Sequence, residues 1–129
     1  MAAGLNPASP HLPTPSPIDA YGNGGFRFGG MSHRGSLLCL PDGIWAWPVK
    51  DVSEITTTLL LPAFERGDML DVFLIGVGHD PWPLPERLRT RFRELAISAD
   101  TMATGAAVRT YNILLAENRR VGAALIAVD

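Results

Sequence analysis

Met69-Leu70-Asp71-Val72-Phe73-Leu74-Ile75-Gly76-Val77 is a nearly continuous apolar run with one charge, at Asp71, and it constrains the fold more than any other segment. Its length suits a strand, and its lack of alternation requires cover on both faces rather than one wet side. A sheet with a helix packed on each face follows, so the expected class is α/β. The cover must come from the rest of a 129-residue chain. That length is one domain's worth, enough to bury about two thirds of the unfolded surface.

Composition supports a packed domain and excludes several functions. Hydrophobic residues make up 47% of the chain and charged residues 19%, which is globular rather than disordered. A formal charge of −2 gives no broad attraction for phosphate backbones, so nucleic acid is not an expected partner. The lone cysteine, Cys39, sits among Leu37, Leu38 and Leu40 and reads as a buried free thiol. With three scattered histidines it supplies no metal-ligand spacing, and neither metal nor cofactor is expected. A single thiol and no basic-then-apolar leader suggest a cytoplasmic protein. No run approaches the roughly 20 apolar residues needed to cross a bilayer, so no transmembrane segment is expected.

Along the chain, residues 1–17 carry Pro7, Pro10, Pro13, Pro15 and Pro17 among Ala and Ser. Proline fixes φ and removes donors, so a flexible Pro-rich leader is expected there, followed by a single α/β domain over residues 18–129. Phe26-Arg27-Phe28 alternates like a strand, Gly29-Gly30 reads as a hairpin turn, and Ser36 to Leu40 is an apolar strand. Pro41-Asp42-Gly43 is a turn leading into Ile44-Trp45-Ala46-Trp47, with both tryptophans on one side. Residues 25 to 48 therefore read as a β-meander. Thr56 to Arg66 is read as a short helix ended by Gly67, with Pro62 near its first turn.

After the central run, Asp80 to Pro85 is a rigid proline-rich loop, and Pro85 suits the first turn of the next helix. Leu84, Leu88, Phe92 and Leu95 form its apolar stripe, while Arg87, Arg89, Arg91 and Arg93 lie mostly off it. A strand over Ala96 to Asp100 leads to a helix capped by Thr104, with Ala107, Tyr111, Leu114 and Leu115 facing inward. Asn118-Arg119-Arg120 closes that helix, and Val121 to Val128 forms the last strand.

No catalytic constellation is complete. Gly76-Val77-Gly78 follows the central strand, where open α/β folds bind ligands, but no third glycine opens a helix at once, so the loop is either a tight turn or a backbone contact for an anion. Thr104 at a helix N-terminus is either an ordinary cap or part of an anion site, and Arg109 could clamp a carboxylate or pair with Asp100. Gly76, Gly78, Thr104 and Arg109 are the candidate ligand cleft. Ser32, His33 and Ser36 with Asp42 or Asp80 have no nucleophile-elbow context for a hydrolase triad, and Glu65, Asp68 and Asp71 read as a solvated rim. The chain therefore reads as a non-enzyme. Arg87, Arg89, Arg91 and Arg93 are either a solvated face or a docking patch for an acidic protein partner. Trp45, Trp47 and Trp82 are core residues unless exposed, when they would anchor an interface.

Gly25-Phe26, Gly76-Val77-Gly78, Thr104-Gly105-Ala106-Ala107-Val108-Arg109-Thr110-Tyr111-Asn112 and Gly122-Ala123-Ala124-Leu125-Ile126 together resemble one family. It is the small uncharacterised domain family that includes mitochondrial NADH dehydrogenase (ubiquinone) complex I assembly factor 3 and an adipogenesis-associated mammalian protein. The likeness runs from about Ile18 to Val128 and looks closest to bacterial members. It implies a three-layer fold: a central mixed sheet of about five strands, helices packed on it, and a β-hairpin extension. It also implies an interaction protein, with a respiratory-complex subunit or assembly machinery as partner. The family offers no established catalytic residues to carry over. Gly76-Val77-Gly78 departs from its commoner Gly-Thr-Gly, which removes a hydroxyl a ligand could use.

Overall fold

The computed structural model describes residues 10–129. Eight strands and three helices follow in order: β1 Ile18–Gly22, β2 Gly25–Phe28, β3 Met31–Arg34, β4 Ser36–Leu40, β5 Gly43–Trp47, α1 Thr57–Phe64, β6 Val72–Gly76, α2 Glu86–Glu94, β7 Ser98–Met102, α3 Thr104–Ala116 and β8 Val121–Leu125. The first three strands form an antiparallel sheet, and the other five form a mixed sheet in the order β5-β4-β8-β6-β7. β8 runs antiparallel to β4 and parallel to β6, which is parallel to β7. The apolar run thus supplies an interior strand, as expected, although only Val72–Gly76 is strand and Gly67–Met69 is a single 3-10 turn.

Alternation along the strands divides the core in two. Leu38, Leu40, Trp45, Trp47, Phe73, Ile75 and Ala124 face α1 and α2, where Leu60, Phe64, Leu88 and Phe92 cover them. Leu37, Cys39, Ile44, Leu74, Ala123 and Leu125 face Ala107, Val108 and Tyr111 of α3, together with Ile18, Phe26 and Phe28 of the small sheet. Three layers result. Both tryptophans of β5 point to the same side and are buried, so neither is an exposed anchor.

The β-meander expected over residues 25 to 48 is interrupted. Gly35, at φ +101°, turns the chain out of the first sheet and into the second. The hairpin extension is present, and β1 widens it to three strands, a role that the Asp19- and glycine-containing sequence concealed. Two-residue turns at Asn23-Gly24 and Gly29-Gly30 have positive φ at both positions, as tight hairpins require. Pro62 is the sixth residue of α1 rather than a first-turn residue. Pro85 stands just before α2. β7 begins two residues later than expected, and β8 ends at Leu125 instead of Val128.

The leader expected over residues 1–17 lies outside the described residues as far as position 9. From Pro10 onward the segment touches the domain: Leu12 bridges Ile44 on β5 and packs against the α3-side core.

Phe92, 1% exposed, stacks on Phe73 at 5.5 Å and meets Phe64 edge-on at 4.9 Å. Replacing it with Ala removes the contact that joins α2 to α1 and to the sheet. The expected loss is about 3–5 kcal/mol of unfolding free energy, measurable by urea denaturation.

Candidate functional site

Gly76, Gly78 and Thr104 come together at the carboxyl ends of β6 and β8. Space is tight at position 76: a Cβ there would lie 3.1 Å from the Thr104 Cα and 3.2 Å from the Ala107 Cβ, where α3 crosses the sheet. At Gly78 the constraint is conformation, φ +95°. The Gly78 N–H donates to the Thr104 hydroxyl at 3.0 Å, and the Thr104 N–H donates back to the Gly78 carbonyl at 2.9 Å. The same hydroxyl donates to the Ile126 carbonyl at 2.7 Å, and the Ile126 N–H donates to the Gly76 carbonyl at 2.9 Å. Thr104 therefore fastens the ends of β6 and β8 to the start of α3.

This corrects the expected cap. Ala103 occupies the cap position of α3 and provides no side-chain bond, while Thr104 is the first helical residue and is fully buried. Its hydroxyl ties strand ends together instead of satisfying its own helix. Arg109 stands apart. It is exposed, about 140° round the helix from Thr104 by helical geometry, and pairs with no carboxylate among the described residues, Asp100 included.

Beside the Gly78 turn lies an open cavity of about 500 Å³, lined mainly by apolar groups of Val77, Pro81, Trp82, Pro83, Met102 and Ala103. Trp82 is half-buried at its edge. The sequence offers Trp82 as a core residue, or as an interface anchor if exposed; the signal for a pocket wall is the Pro-Trp-Pro segment shortly after the central strand. A second, more polar hollow on the other side of the turn includes Lys50, His79, Asp80 and Asp129.

On α2 all four arginines are exposed, as the stripe pattern predicted. Glu86 lies 3.8 Å from Arg89 and 3.9 Å from Arg93, and Glu94 lies 3.4 Å from Arg91. Arg89 also donates to the Leu84 carbonyl at 3.2 Å, and Arg91 sits 5.7 Å from the centre of the Phe64 ring. Such exposed pairs are worth little individually, but they fix the face with two glutamates among four arginines.

Of the remaining candidates, Ser36, His33, Asp42 and Asp71 are engaged within the fold. The Ser36 hydroxyl donates to the Val49 carbonyl at 2.6 Å and accepts from the Ala127 N–H at 3.0 Å, so it is no free nucleophile. His33 meets the Ser36 backbone carbonyl at 3.2 Å and the His11 ring at 4.7 Å between centroids, and burial, with His11 beside it, holds its pKa below the usual imidazole value. Asp42 is held by Arg66 through contacts of 2.7 and 3.0 Å, which lower its carboxyl pKa and brace the β4–β5 turn against α1. Asp71 pairs with Arg120 at 2.9 Å on the solvated rim. No group of three or more metal-ligating side chains occurs among the described residues.

Burial pushes the Cys39 thiol up to about 12, with the Tyr111 hydroxyl acting in the opposite direction. No helix of the described residues is long and apolar enough to cross a membrane.

The described residues form a three-layer α/β domain whose strand ends are tied to α3 through Thr104. The chain belongs to the family described as a protein of unknown function (DUF498/DUF598), whose model matches residues 18–126. It is 38% identical over 122 residues to an uncharacterised protein of Rhodobacter capsulatus, covering 95% of this chain and 93% of that one. The solved structure of an outer membrane protein from Bartonella henselae superposes with a TM-score of 0.88 at 51% identity, covering 92% of this chain and 100% of that one. The chain is 31% identical to NADH dehydrogenase [ubiquinone] 1 alpha subcomplex assembly factor 3 of Drosophila melanogaster, over 84% of this chain and 57% of the relative. It thus spans a little over half the length of that assembly factor.

Two outcomes are expected. Thr104→Val should cost about 2–4 kcal/mol by leaving two buried backbone groups unsatisfied, whereas Thr104→Ser should recover most of it; urea midpoints distinguish them. Because Cys39 is fully buried and that burial raises its pKa and keeps it protonated, it should resist a thiol reagent at pH 8 in the folded state and react at once in denaturant, as followed by absorbance.

Proposed function

We propose that the protein is a non-enzymatic interaction protein that acts in the assembly of a respiratory complex of the complex I type, in the bacterial cytoplasm. The observation that carries this reading is the similarity across 84% of the chain to a relative named as a complex I assembly factor. Fold-level likeness alone would be a weak warrant for function. Of the groups weighed as catalytic, Ser36 and Asp42 are engaged in holding the fold, which supports this reading. The proposed docking face is α2, where Arg87, Arg89, Arg91 and Arg93 are exposed together and would steer an acidic partner surface.

A second reading follows from the cavity beside Gly78. Its apolar lining suits a small apolar ligand, with the Gly76–Gly78 turn and Thr104 fixing its wall and Arg109 outside it.

Affinity capture of the tagged chain from extract of its own cells, read by mass spectrometry, tests the first reading. Complex I subunits or their assembly proteins should be enriched, and reversing all four α2 arginines to Glu should reduce that enrichment at least about tenfold, as loss of a steering face implies. Capture that is free of such proteins would contradict the assembly role. Capture unchanged by the reversal would move the docking face elsewhere.

A further inference from the structure

We propose that the outer face of the three-stranded sheet is a binding site for the phosphoryl group of a small molecule, held between Arg27 and Arg34. Alternation places these side chains. In β2, Phe26 and Phe28 are buried and Arg27 between them is exposed; in β3, Ser32 and Arg34 are exposed while Met31 and His33 are half-buried. Antiparallel register sets Arg27 opposite Ser32 and Gly25 opposite Arg34. The two arginines are therefore diagonal neighbours, with Ser32 directly opposite Arg27 and on the same face as Arg34. Diagonal pairs in such ladders lie about 7–8 Å apart, within reach of long side chains.

A hollow of about 470 Å³ opens at this place, with Asn23, Gly25, Arg27, Ser32 and Arg34 in its lining and no aspartate or glutamate among the residues that form it. Neither arginine makes a hydrogen bond or ion pair with another described residue. The contrast with α2 is direct, since there Glu86 and Glu94 attend three of the four arginines. Two like charges held as diagonal neighbours without a carboxylate repel one another, and a bound dianion removes that repulsion. A phosphoryl group carries close to two negative charges above its second pKa of about 6 and presents three acceptor oxygens, enough for two guanidinium forks and a hydroxyl. A single carboxylate would neutralise only one of the two arginines.

The rim is fixed before any ligand arrives. The Asn23-Gly24 turn is tight, with φ of +53° and +77°. The Gly24 N–H donates to the Val128 carbonyl at 2.8 Å, and the Gly24 carbonyl accepts from the Gly35 N–H at 2.8 Å. The floor is small because it must be: a Cβ at Gly25 would run into the His33 carbonyl oxygen. Ala20, opposite Arg27, and Gly22, opposite Gly25, continue the same face with small residues, which leaves room beside the arginines for the remainder of a phosphorylated molecule.

The test is a titration of the full chain, at constant ionic strength, with inorganic phosphate and separately with glycerol 2-phosphate, followed by amide and guanidinium NMR shifts. Saturable shifts centred on Arg27, Ser32 and Arg34 are expected with at least one of the two, and the tighter of them identifies a free or an esterified phosphate as the favoured source. Arg27→Gln and Arg34→Gln should each weaken binding about tenfold, and Arg87→Gln should leave it unchanged. Because both side chains are exposed, spectra away from the site should match the parent and certify the fold. Shifts that do not saturate, affinity unaffected by both substitutions, or tighter binding of a hexaglutamate peptide at the same residues would each overturn the proposal.

Discussion

The position of β8 is the constraint on which the rest depends. This strand lies between antiparallel β4 and parallel β6 and is buried on both faces, so its side chains decide how closely both outer layers approach. Its sequence, Val121-Gly122-Ala123-Ala124-Leu125, is correspondingly small. A Cβ at Gly122 would come within 3.0 Å of the Cys39 carbonyl and 3.1 Å of Leu70 and Phe73 side chains. Bulk is supplied from the neighbours instead, by Phe73, Phe92 and Trp45 on one face and by Tyr111, Phe26 and Phe28 on the other. Small residues in the middle and large ones around them make one sheet serve two cores.

Thr104 completes that arrangement at the strand ends. Beyond Leu125 the ladder stops, and the Ile126 carbonyl would face a buried region without a partner; the Thr104 hydroxyl accepts the Gly78 N–H and supplies the donor that Ile126 needs. The segment most suggestive of a ligand loop is thus consumed by structure. The surfaces around it include the arginine face of α2, the hollows on either side of the Gly78 turn and the outer face of the small sheet.

Much of this was legible in the chain because periodicity is a local property. The apolar run at residues 69–77, the stripe Leu84-Leu88-Phe92-Leu95 and the glycine turns each announce an element through spacing or φ preference. Sheet membership was not legible, since a meander and a chain that changes sheets at Gly35 have the same local pattern; only the distant partner β8 draws β4 away. Thr104 was misread for a related reason. A threonine at a helix start looks like a cap, and nothing nearby in sequence reveals that Gly78 and Ile126, 26 and 22 residues away, need its hydroxyl. Arg109 lies on the same helix as Thr104, yet helical geometry turns it away.

Native-state hydrogen exchange tests the central role of β8 most directly. If both cores hang on that strand, the amides of Ala123, Ala124, Leu74 and Ile75 should exchange only through global unfolding, with opening free energies equal to the stability from urea denaturation. The hairpin β4–β5 should lose protection in the same event. Protection of β4 and β5 that outlasts exchange at β8 would show that the sheet survives without its central strand, and would contradict this account.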